Sequence, residues 1–188
     1  FNQADNRDVF AQASFDFGPQ WTATAGLRAS RVKFRTTDYF IVPGTLNLDD
    51  SGGVSYSATS PVVGVTWRAS PTLNLYANAG KGFETPTFTE LYYRPNGLTG
   101  LNTDLLASRS RHAELGGKWK VAEGQRVDAA LFDITTRDEI VVDTNSGGRS
   151  TFKNAGRTRR SGAELSYLGQ LGDEWRATLS LTALRARF

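Results

Sequence analysis

The stretch Trp21-Thr22-Ala23-Thr24-Ala25-Gly26-Leu27-Arg28-Ala29-Ser30 decides the fold. Every second residue is apolar, and small or polar side chains stand between. In an extended chain successive side chains face opposite ways, so this segment has one apolar and one polar face. The pattern returns at Val63, Val65, Trp67 and Ala69, and at Leu73, Leu75, Ala77 and Ala79. It returns again at Trp175, Ala177, Leu179, Leu181 and Ala183. Extended outward, the alternation predicts about eight strands, at roughly 8–17, 21–35, 54–69, 73–83, 108–121, 126–142, 150–168 and 175–187. No segment with a helical period of useful length stands out.

The connections alternate too. Gly18-Pro19-Gln20, Ser70-Pro71-Thr72, Glu123-Gly124-Gln125 and Gly172-Asp173-Glu174 carry the Gly, Pro and Asp of tight turns. Between the first two turns lies a long connection from about Thr36 to Gly53, and between the next two another from about Glu84 to Ala107. Asn145-Ser146-Gly147-Gly148 marks a short one.

Composition removes several classes of function. The 188 residues hold 22 Lys and Arg against 19 Asp and Glu, a net charge of +3. So even a balance does not describe a nucleic-acid binder. There is no Cys, which excludes disulfides and thiolate chemistry. The single His, His112, excludes a two-His zinc motif. No apolar run approaches the roughly 20 residues of a membrane-crossing helix. The opening Phe1-Asn2-Gln3-Ala4-Asp5-Asn6-Arg7 is polar and is no signal peptide. It predicts a start inside a longer protein.

Two environments suit the apolar face. In a soluble sandwich it packs against a second sheet. In a membrane barrel it meets lipid, and the polar face lines a wet lumen. Three features favour the barrel. Its strands are long, where sandwich strands commonly run about 5 or 6 residues. Its turns are tight at one end and long at the other. Trp21, Trp67, Trp119, Tyr167 and Trp175 lie near the tight turns, as an aromatic girdle would.

The segment Gly80-Lys81-Gly82-Phe83-Glu84-Thr85-Pro86-Thr87-Phe88-Thr89-Glu90-Leu91, after Leu75-Tyr76-Ala77, resembles a strand-to-loop passage of TonB-dependent outer-membrane receptors. Asn154-Ala155-Gly156 through Gly162-Ala163-Glu164-Leu165 resembles that family's Asn-x-Gly segment and the strand start after it. Ala130-Leu131-Phe132-Asp133-Ile134 through Asp138-Glu139-Ile140-Val141 is similar to its Phe-containing strand. The resemblance runs from about Pro61 to the end, and more weakly over the first strands. It implies an all-β chain whose antiparallel up-and-down strands form part of a large transmembrane barrel of about 22 strands with a plugged lumen. Residues 1–188 would then be a piece of the barrel domain, with the plug and terminal strands absent. The implied function is import of a metal chelate across the bacterial outer membrane, a ferric siderophore above all. The implied partners are TonB, through a missing N-terminal region, and membrane lipid. A complete eight-stranded barrel with a structural or adhesive role, ending at Phe188, is the main alternative; a soluble β-rich ligand-binding domain is another.

No catalytic residue, metal site or cofactor is predicted. In a strand, Ser108 to Glu114 supply no nucleophile elbow around His112. Asp143 onward begins like a calcium loop but has Asn154 at its twelfth position. Gly80-Lys81-Gly82 lacks the third Gly of a dinucleotide loop. Candidate ligand residues lie at the long-loop end. Arg157, Arg159 and Arg160 are either solvated lumen charges or forks for the carboxylates or catecholates of a ferric chelate. Tyr92, Tyr93 and Arg94 in one long loop, and Tyr39 and Phe40 in the other, are either loop packing or ligand contacts. An isolated piece of wall exposes two strand edges and a lipid-facing surface, so it is expected to self-associate.

Overall fold

Alternating side chains leave each strand with one greasy face, and a single antiparallel sheet collects those faces on one side. A computed structural model describes residues 1–44, 48–95, 97 and 100–188. It contains one eight-stranded sheet in sequence order. The strands are β1 (Asn2–Phe17), β2 (Trp21–Thr36), β3 (Gly52–Ser70), β4 (Leu73–Glu84), β5 (Ser108–Ala122), β6 (Gln125–Ser146), β7 (Arg149–Leu171) and β8 (Trp175–Arg187). All neighbours are antiparallel. The sheet ends at β1 and β8, which do not pair with each other. A closed eight-stranded barrel would require that pairing.

Seven of the eight strands are longer than the alternation alone predicts, and β8 runs over 175–187 as expected. β1 begins at Asn2, where the polar run Asn2 to Arg7 hides the period, and its register with β2 is unbroken from Asn2↔Thr36 to Phe17↔Trp21. β6 and β7 continue to a turn at Gly147 and Gly148, both with positive φ.

Register puts the alternating apolar series of all strands on one face. Trp21 lies opposite Trp67, which lies opposite Leu75. Trp119, Val127 and Tyr167 follow one another across β5, β6 and β7. Phe15, Phe17, Trp21 and Trp67 stack in a chain, with ring centroids 6.3, 6.2 and 5.5 Å apart. No second layer covers this face: Leu115, Leu131 and Leu181 remain 59%, 60% and 56% exposed. A sandwich would seal these side chains. From Trp21 to Ala29 the apolar residues span about 27 Å along the strand, which a tilt of about 40° reduces to about 20 Å, most of the height of a barrel's apolar band.

The polar face is hydrogen-bonded and charged. Arg28 makes two bonds to Asp8, of 3.1 and 2.8 Å. Where an aromatic must lie flat on this face, its cross-strand neighbour is Gly. The Phe132 ring occupies the space a side chain on Gly162 would need, and the Tyr76 ring does the same at Gly116.

One seam interrupts the ladder. β3 pairs with β4 only from Val62↔Gly80 down to the tight turn. Above that level β3 continues beside β2 to Gly52, and β4 continues beside β5 to Glu84, without meeting. Pro61, which has no N–H to give a ladder, stands where the pairing stops.

Candidate functional site at the long-loop end

The connection 85–107 folds back onto the polar face. Its helix α1 (Phe88–Leu91) starts at a capping box: Thr87 N donates to Glu90 Oε2 at 2.7 Å, and Glu90 N donates to Thr87 Oγ1 at 3.4 Å. This one turn places Leu91, fully buried, in a cluster with Phe34, Tyr56, Leu101, Leu105 and Ala107. Phe34 meets Phe88 edge-on with centroids 5.0 Å apart, and the Tyr56 hydroxyl donates to Leu105 O at 2.9 Å. Apolar burial holds both ends of the connection, and polar clamps reinforce the second. Asn154 Oδ1 accepts from Leu106 N at 2.8 Å. Asn154 Nδ2 donates to Leu106 O at 2.9 Å and to Asp138 O at 2.7 Å. Asp138 has φ 57°, a left-handed conformation in mid-strand. Its carbonyl also accepts from Ser108 Oγ at 3.0 Å.

This anchored connection presents the loop residues. Tyr92 is 41% exposed, and its hydroxyl is held by Asn2 Nδ2. The Tyr93 ring carries the Arg149 guanidinium 5.1 Å from its centroid. Arg94 reaches Asp104 at 3.5 Å, and its Nε is buried without a hydrogen-bond partner. Tyr39 and Phe40, at 81% and 72% exposure, sit on the connection between β2 and β3. That connection is tied to 85–107 by Gly100 N donating to Asp50 Oδ1 at 2.7 Å. Within it Asp49 accepts from Ser51 N at 2.8 Å, and the Ser51 hydroxyl and amide hold the Asp49 carboxyl below the usual carboxylate range. Asn96, in the same loop as Tyr92, lies outside the described residues.

The three arginines of β7 do not form one patch. Arg157 and Arg159 share the face of Ala163 and Leu165, which is the apolar one. Arg160 points to the polar face, where it pairs with Glu139, Nη1 lying 3.1 Å from Oε2. His112 is also on the polar face, with Nε2 2.7 Å from Ser110 Oγ. Arg149 is the functional candidate that the sequence alone misses. A single Arg after Gly147-Gly148 reads as turn composition, and only the fold brings it over Tyr93.

The TonB dependent receptor-like β-barrel family model matches residues 1–187. The chain belongs to the TonB-dependent receptors. Two of the three segments carrying the sequence resemblance meet in space, since Asn154 clamps the end of the connection that Pro86 to Leu91 begin. Among curated proteins, the metal-pseudopaline receptor of Pseudomonas aeruginosa is 26% identical over 176 residues. That alignment covers 93% of this chain and 23% of the relative. A probable TonB-dependent receptor of Bordetella pertussis is 23% identical over 171 residues, 89% of this chain and 22% of its own length. Among solved structures, the copper transporter OprC superposes with a TM-score of 0.80 at 16% identity, covering 98% of this chain and 30% of that one. The chain thus spans about a quarter of the length of the curated relatives it matches. The receptor strands lie in the outer membrane, the apolar face toward lipid and the polar face toward the lumen. Its relatives are transport receptors, not enzymes.

Proposed function

We propose that this receptor segment supplies the barrel wall and part of the outer loop site of an importer of metal chelates, with a ferric siderophore as cargo and TonB as energy source. Residues 1–188 form one stretch of the barrel domain in this reading, and the plug lies elsewhere in the protein. The observation that supports it most is the pair of exposed tyrosines on an anchored loop with two guanidiniums beside them. Aromatic faces cover the apolar periphery of a chelate, and the Arg94 and Arg149 forks take its carboxylate or catecholate oxygens. Arg160, held by Glu139, belongs to the lumen below. Tyr39 and Phe40 close over the cargo from the neighbouring connection. A relative and two structural neighbours carry metal cargo in their names: a metal-pseudopaline receptor, a copper transporter and a ferric-catecholate import receptor.

Binding of a panel of ferric, cupric and haem chelates to the full-length receptor in detergent tests the reading. Tyr93→Ala with Arg94→Ala is expected to weaken binding of one chelate about tenfold or more, because stacked and charge-assisted contacts go together. Unchanged affinity for every chelate the native receptor binds would overturn the site. Separately, the free edges of β1 and β8 support self-association of the isolated chain. Size-exclusion chromatography should show oligomers or a detergent requirement, and a detergent-free monomer would refute that expectation.

A further inference from the structure

The hairpin of β6 and β7 runs past β5 as a two-stranded arm. β6 has β5 beside it only as far as Arg137, which lies opposite Arg109. From Glu139↔Ala155 to Ser146↔Arg149 the two strands of the arm pair with each other. On the β5 side no strand accompanies them, and the connection 85–107 stands there instead. An isolated two-stranded ribbon is marginally stable in water, so along this border the contacts with the connection decide where the arm stands. Asp138, with its left-handed backbone, sits at the base of the arm.

Those contacts come at three heights along β7. Highest is Arg149, exposed, with its guanidinium 5.1 Å from the centroid of the Tyr93 ring. An exposed cation–π contact stabilises by less than the rotamer entropy that ordering an Arg side chain costs, so it does not place the arm by itself. Next is Phe152, whose O accepts from Asn102 Nδ2 at 3.2 Å and whose ring packs against the Leu91 cluster. Lowest is Asn154, which joins three backbone groups: Leu106 N at 2.8 Å, Leu106 O at 2.9 Å and Asp138 O at 2.7 Å. One N–H and two carbonyls call for one acceptor and two donors on a single short side chain. Only a carboxamide carries that set: a carboxylate has no donor, and a hydroxyl has one. Asn154 therefore ties the connection to the arm and to the arm's base at once.

We propose that Asn154 is a positioning residue of the loop site: by holding Leu106 and Asp138 together it sets the stance of the arm, and with it the place of Arg149 over Tyr93. Arg149 and Tyr93 matter to cargo only if the chelate reading above holds, whereas their placement by Asn154 is tested without any chelate. Asn102 assists from the connection's side, through its single bond to Phe152 O.

The test uses the full-length receptor in detergent, with 3-fluorotyrosine in place of Tyr93 and fluorine NMR as the readout. Arg149→Gln is expected to shift the native resonance, because the cation over the ring is lost. Asn154→Asp keeps the shape of the side chain and the acceptor for Leu106 N, but it sets a carboxylate against two carbonyls. It is expected to shift the resonance as Arg149→Gln does, and Asn154→Ala should do the same. Adding Arg149→Gln to either variant should then shift nothing further, the coupling of residues that act as one unit. A native resonance in Asn154→Asp would make Asn154 a mere packing group and overturn the proposal. A full additional shift from Arg149→Gln in the Asn154 variants would overturn it as well. The comparison of Arg149→Gln with the native chain needs no Asn154 variant to fold, and an unmoved resonance there would already sink the contact. None of these outcomes depends on chelate affinity, so a failed chelate panel strikes the cargo reading alone.

Discussion

Replacing Leu115 by Arg in the full-length receptor is expected to destabilise the folded barrel by about 2–4 kcal/mol, the cost of a cation on the lipid face near the bilayer midplane. Leu115 sits halfway between Trp119, in the aromatic girdle, and Arg111 on the same face, and is 59% exposed. Its register neighbours are Ala77 and Leu131. None of them offers a partner to a buried guanidinium. The next residue, Glu114, faces the lumen, and Glu114→Gln should change stability by less than about 0.5 kcal/mol. Urea titration of the receptor folded into lipid vesicles measures both. Equal effects at the two positions would mean that the two faces are not wetted differently, and the barrel reading would fail with them.

The second large effect is expected inside the wall. Leu91 is fully buried at the centre of the cluster that holds the 85–107 connection to the polar face. Leu91→Ala removes a buried side chain where neighbours on β2 and β3 are fixed by the ladder, a loss of about 2–5 kcal/mol. The ladder itself does not depend on Leu91, so the loss falls on the connection. A protease should then cut the segment between Tyr92 and Asp104 at least about thirtyfold faster in the variant, the factor that corresponds to the lower end of that range. Leu106→Ala, at a side chain 56% exposed, should leave the rate near that of the native chain. If both variants resist cleavage equally, the cluster is not what restrains the loop.

Much of the architecture was legible because a strand with two unlike faces must write a period of two. Trp21 to Ala29 show it without interruption, and the tight turns with Gly or Pro fix where each hairpin closes. Legibility ends where polar residues occupy both faces. Asn2 to Arg7 are strand, but no alternation announces them. The upper parts of β6 and β7 likewise run past the apolar band, where polar cross-strand pairs such as Lys153 with Asp143 and Thr144 with Thr151 join them and no apolar alternation marks them.

At the loop end, contacts between residues distant in sequence decide the geometry. Asn154 and Leu106 are a case: each is ordinary in its own segment, and only register brings the side-chain amide onto both backbone groups. Arg157, Arg159 and Arg160 show a different failure. Read as a run, they form one basic patch. Counted by twos from Leu165, they divide, two toward lipid and one toward Glu139. The period that reveals the fold also assigns these charges, provided it is carried beyond the apolar residues.

Above Val62 and Gly80 the receptor wall is an unzipped slot. Backbone groups on the facing borders of β3 and β4 have no ladder partner there, whereas the other neighbouring strands are stitched along nearly all of their shared length. Deuterium should therefore enter that border of β3 well ahead of the matching height on β5. Widening or narrowing the slot breaks no ladder bond and strains only side-chain ties such as that of Arg109 to Ser57 O, so this is where the barrel can breathe at least expense.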